Sequence, residues 1–205
     1  MYLKTIGLCG AIAAAMAAAS AQAAIVDISA TATTPVFYTF DPWTYHIEWI
    51  GTADGGAYDA WHPSCPTGDC TSGWRDVFSA TTDTGPHPSF DSYSIVAGPF
   101  ASALASLAAF RAAPSIIDTQ LDWNGAAYVP SPGGAIAQPW TITVAAATTV
   151  AFFAGDGTKD DNFGGVSLRF TAVPEPATWA MMILGLGGVG ATLRQRRRLA
   201  AVEAR

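Results

Sequence analysis

The sequence predicts an all-β protein: an antiparallel β-sandwich over residues 24–172, held between two apolar ends. Three observations carry this expectation. Short segments rich in β-branched and aromatic residues recur through the middle of the chain, several alternating with period two. Clusters of Gly, Pro and Asp separate them, as tight turns require. Charge is segregated, with fourteen acids against four bases (Arg75, Arg111, Lys159, Arg169) in the middle and five Arg against one Glu in residues 194–205. An acidic middle repels phosphate, so nucleic acid is excluded as a partner.

The first element is an export signal, residues 1–23. Lys4 precedes an apolar run at 6–19 that is too short to span a bilayer comfortably. Small residues in Ala21-Gln22-Ala23 mark cleavage by signal peptidase after Ala23, with cleavage after Ala21 as the alternative. Cys9 leaves with this segment.

Strands are expected at 25–33, 36–40, 45–50, 92–96, 140–144, 148–154 and 166–171. Tyr45, Ile47 and Trp49 alternate and should face the core. A helix is expected at 101–111, with Leu104, Leu107 and Phe110 on one face. About 150 residues are enough to bury a core.

Four sets of side chains in the middle are candidates for chemistry. Cys65 and Cys70 remain as an even pair in an oxidising compartment, so a disulfide is the first reading. Its short loop is worth on the order of 2 kcal/mol and pins a local turn. The alternative uses Cys65, Cys70, His62 and His87 as zinc ligands. Asp156, Asp160, Asp161 and Asn162 place hard oxygen ligands within seven residues, which fits Ca²⁺. The alternative is a solvated hairpin loop with no cofactor, in which Asp and Asn cap turns. Trp61 and Trp74 flank the cysteine loop and are candidates to stack on the flat apolar faces of sugar rings, against the alternative of ordinary core aromatics. Glu48 is the one Glu of the middle segment, and Asp41, Asp59 and Asp76 are conceivable partners for glycoside hydrolysis, but no spacing singles out a pair. There is no G-x-S-x-G, H-E-x-x-H or phosphate-cradling loop. The expectation is therefore a protein that is not an enzyme.

The last element spans residues 173–198. Residues 177–193 carry no charge and as a helix rise about 25 Å, the low edge of a transmembrane span. Trp179 lies near one end; Arg194, Arg196, Arg197 and Arg198 hold the other in the cytoplasm, followed by a cytoplasmic tail at 199–205. Pro174-Glu175-Pro176, then Trp179-Ala180, then the Gly-rich apolar run and the Arg cluster resemble the PEP-CTERM sorting signal in its PEPxxWA form. That resemblance implies recognition of Pro174, Glu175 and Pro176 by an exosortase, removal of the helix, and release or attachment at the cell surface, often beside exopolysaccharide. A permanent single-span anchor is the alternative. Asp160-Asp161-Asn162-Phe163-Gly164-Gly165-Val166-Ser167-Leu168 resembles the closing strand of galactose-binding-like jelly rolls, which implies a jelly-roll-like sandwich and points to a glycan.

The sequence thus predicts an exported, exosortase-sorted surface or matrix protein, passing through a membrane-anchored intermediate, with a non-catalytic sandwich. A carbohydrate-binding module, with or without Ca²⁺, is the second reading and a secreted glycan hydrolase the third.

Overall fold

The structure is a computed structural model that describes residues 23–83, 85, 89–131, 134–156, 158–173, 183–191, 193 and 194. One compact unit, Ala21–Pro174, contains the sandwich. Its strands are β1 Ala23–Ser29, β2 Val36–Phe40, β3 Thr44–Ile50, β4 Trp61–His62, β5 Phe78–Thr81, β6 Phe90–Ser94, β7 Ser115–Trp123, β8 Tyr128–Ser131, β9 Ala135–Ala137, β10 Thr141–Thr143, β11 Thr148–Phe153 and β12 Phe163–Val173. One helix, α1 Ala103–Ala112, lies between β6 and β7.

All pairings between these strands are antiparallel. One sheet runs β1-β12-β3-β10, with β4 also on β12; the other runs β2-β11-β5-β6-β7-β8, with β9 on β7. The pairing is nested: β1 with β12, β2 with β11, β3 with β10.

Period-two alternation builds the core. Val26 and Ile28 of β1, Tyr45, Ile47 and Trp49 of β3, and Val166, Leu168 and Phe170 of β12 are buried. They meet Phe40, Phe78 and Phe152 of the opposite sheet, with ring centroids 4.9 Å apart for Phe40–Phe170 and 5.7 Å for Trp49–Phe78. Offset and edge-on pairs of this kind add to area burial.

Ser102 caps α1 by accepting a hydrogen bond from the Ala105 amide, 3.2 Å. Pro114 follows directly, where the chain has already left helical geometry. Leu107 and Phe110 are buried against the core, but Leu104 is 66% exposed. The expected three-residue face fails because residues six apart lie about 120° apart around a helix. Arg111 fixes α1 to β3, its Nε donating to the Trp49 carbonyl at 2.8 Å.

In the C-terminal segment residues 183–191 are helical, with Ile183, Leu184, Leu186 and Val189 exposed. Among the described residues no helix is long and apolar enough to cross a membrane. Residues 174–182 of the expected sorting signal, including Pro174, Glu175 and Pro176, lie outside the described residues, as does the export signal through residue 22.

Candidate functional site

The best-defined cluster of reactive side chains sits where β4 meets β12. His62 pairs with Phe163 in this short ladder. The chain then turns, and the amides of Ser64 and Cys65 both donate to the Asp161 carbonyl. Cys65 and Cys70 form a disulfide, as expected, with Cα atoms 6.1 Å apart. Cys65 is buried. His62 stands beside them: a ring nitrogen and the two sulfurs all lie within 4.8 Å of one another. His62 Nε2 donates to the Ser72 carbonyl, while Nδ1 is buried without a partner among the described residues. His87 lies outside the described residues.

Trp61 and Trp74 do not serve as exposed stacking platforms. They are 1% and 7% exposed, respectively. The Trp61 indole N–H donates to the Val77 carbonyl at 2.8 Å, and the Arg75 guanidinium lies 5.3 Å over its ring. The Trp74 N–H donates to the Cys70 carbonyl at 3.2 Å, and its ring meets His62 and Phe163 edge-on. Their nearness to the cysteine loop reflects packing under it.

The acidic loop is tied down at several points. Asp156 accepts the Thr158 amide in a local turn. Asn162 is buried, and its amide donates to the carbonyls of Ala30, 3.0 Å, and Thr158, 2.9 Å, locking the loop to the end of β1. Among the described residues the side chains of Asp156, Asp160 and Asp161 do not converge as His62, Cys65 and Cys70 do.

Of the carboxylates considered for hydrolysis, Asp59 and Asp76 are near enough for the Asp59 charge to help raise the Asp76 carboxyl. Glu48 pairs with Arg169 at 3.1 Å across β3 and β12. Asp59 accepts the Thr52 amide at 2.8 Å. Asp76 is 1% exposed, and burial pushes its carboxyl well above the ordinary carboxylate range. Asp41 stands at the β2–β3 turn, its carbonyl accepting from the Tyr45 hydroxyl.

The sequence reading missed a groove of about 660 Å³ along the outer face of the second sheet. Phe37 of β2, Phe90 of β6, Tyr128 of β8 and Phe153 of β11 line it. Phe90 is central, 5.1 Å from the Phe153 ring and 5.0 Å from that of Tyr128. Phe37 is 56% exposed. Asp83, Asp156 and Lys159 add charge at its edge; partial burial lowers the Lys159 pKa, and Asp156 opposes that shift. The available signal was parity. Phe152 and Phe153 are adjacent in a strand, so one ring must point away from the core.

No curated protein and no solved structure matches this chain. A local family match begins at residue 172, inside the last two residues of β12, and runs to residue 198. Over those residues the chain carries the PEP-CTERM protein-sorting motif, which implies export, processing by exosortase and sorting to the cell surface.

Proposed function

We propose that this is an exosortase-sorted surface protein whose sandwich is displayed without catalytic activity, after signal peptidase removes residues 1–23 and exosortase removes the C-terminal helix. The sorting motif at 172–198 carries the reading. Its start coincides with the end of β12, so cleavage beyond Val173 leaves every strand among the described residues intact. The nested pairing of β1 with β12, β2 with β11 and β3 with β10 supports a jelly-roll sandwich. The non-catalytic reading is supported by the pairing of Glu48 with Arg169 and by the burial of Asp76. The test is the intact mass of protein recovered from cell surface and medium. Loss of both the leader and the span after the Pro174-Glu175-Pro176 region is expected; a mass that retains residues 177–193 would replace sorting with permanent anchoring.

The outer groove favours a second reading, in which the displayed sandwich holds a polysaccharide. Adjacent rings of Phe90, Phe153 and Tyr128 offer flat apolar surface, and the polar rim offers hydrogen bonds to hydroxyls. Phe37→Ala and Phe90→Ala should each weaken retention on a column of the producer's own exopolysaccharide. Unchanged retention of both variants would remove the groove from this role.

A further inference from the structure

We propose that His62, Cys65 and Cys70 form a redox-gated zinc site, closed while the Cys65–Cys70 disulfide is intact and open once it is reduced. The argument does not depend on sorting or on the groove.

The donor set is the first observation. Two thiolates and an imidazole suit zinc, and three protein ligands plus one water complete its tetrahedron. Two sulfurs each about 2.3 Å from a tetrahedral zinc stand about 3.8 Å apart. The three ligand atoms already lie within 4.8 Å of one another. Reduction must therefore let the two bonded sulfurs move apart to that spacing, and the imidazole nitrogen, ideally about 3.5 Å from each, must close by no more than about 1.3 Å.

The histidine supplies the second observation, which is independent of the spacing. A carbonyl can only accept, so the bond from Nε2 to Ser72 puts the ring proton on Nε2. The lone pair is left on Nδ1, which is buried and has no partner among the described residues. An imidazole that donates one N–H to a backbone carbonyl and keeps the other nitrogen bare has the tautomer that metal-ligating histidines have. The ring is held there by its neighbours. Trp74 meets it edge-on at 5.7 Å, and Gly73, at φ +104°, leaves no room for a Cβ between chain and ring.

The third observation is that the loop has anchors other than the disulfide. The Ser64 and Cys65 amides bind the Asp161 carbonyl, and Trp74 binds the Cys70 carbonyl. Opening the S–S bond should therefore leave the loop backbone in place while the two sulfurs move apart.

The chemistry balances with a dithiol as reductant. The dithiol supplies two electrons and two protons to the Cys65–Cys70 bond and leaves as its own disulfide. The two new thiols release their protons to water as they bind Zn²⁺, and His62 adds a neutral nitrogen. A disulfide oxidant reverses the process: it takes two electrons from the thiolates, the S–S bond reforms, and the ion is expelled.

The test titrates the full-length protein with Zn²⁺ and, as a spectroscopic probe, Co²⁺, before and after dithiol reduction. Expected is one tight equivalent in the reduced form only, with a thiolate-to-cobalt charge-transfer band that Zn²⁺ abolishes. His62→Ala should weaken binding at least about tenfold, and the Cys65→Ala/Cys70→Ala double variant should fold and bind nothing. Equal binding by oxidised and reduced protein, no binding by the reduced form, or full affinity in His62→Ala would overturn the proposal. So would loss of the native circular dichroism on reduction, because no assembled site would then exist.

Discussion

Replacing Trp49 by Phe should cost the sandwich about 3–4 kcal/mol. Trp49 is fully buried and touches three different parts of the core: Phe78 of the facing sheet, Phe110 of α1 and Trp140 before β10, at centroid distances of 5.7, 5.6 and 4.9 Å. Its indole N–H also donates to the Asp76 carbonyl at 3.1 Å. Phenylalanine keeps a ring in place but loses that donor, leaving a buried carbonyl unpaired at a cost of about 1–3 kcal/mol. It also removes two ring carbons, worth about 1.5 kcal/mol of burial. For a domain of this size each kcal/mol lowers Tm by about 2–4 °C, so a fall near 10 °C is expected. Urea unfolding followed by far-UV circular dichroism measures the difference directly, as a lower midpoint at unchanged slope. A loss below about 1 kcal/mol would refute the view that this indole clamps sheet, sheet and helix together.

Two further outcomes follow from buried groups. Asp76 holds its proton in the folded state at pH values where the unfolded chain, with a carboxyl near 3.9, has released it. The unfolded state then binds fewer protons, so stability falls as pH rises from that value towards the higher folded one; Asp76→Asn should flatten the fall in a pH series of urea midpoints, and an unchanged slope would assign it elsewhere. Removing the disulfide as Cys65→Ala/Cys70→Ala should cost only about 2 kcal/mol, because the closed loop is short. Calorimetric loss of cooperative unfolding in that variant would show the bond to be a staple for the whole sandwich.

Strands with one buried face were legible in the sequence. The expected 36–40 coincides with β2, and 45–50 lies within β3, because Phe40, Tyr45, Ile47 and Trp49 alternate cleanly. The expected 25–33 overran β1, which stops at Ser29. β5 was not legible: Phe78, Ser79, Ala80 and Thr81 are all buried, so no alternation betrays them. β7 was hidden by polarity, since Asp118, Gln120 and Asp122 share the parity of buried Ile116. Burial raises the Asp118 carboxyl. At the site, the cysteine pairing was readable from compartment and count. The bare nitrogen of His62 was not, because its tautomer depends on the carbonyl of Ser72, ten residues away.

β12 sits between β1 and β3, not at an edge. It is also the last strand of the sandwich to be synthesised. Seven registered pairs join it to β1, from Ala23↔Thr171 to Ser29↔Gly165, and seven more join it to β3. A chain threaded outward from its N-terminus therefore leaves a gap in the middle of its first sheet until residue 173 has emerged. Contacts of such long sequence separation form late. On the proposed export route, folding would wait for the arrival of the sorting motif, and a chain stalled before that point would present the unpaired edges of β1 and β3.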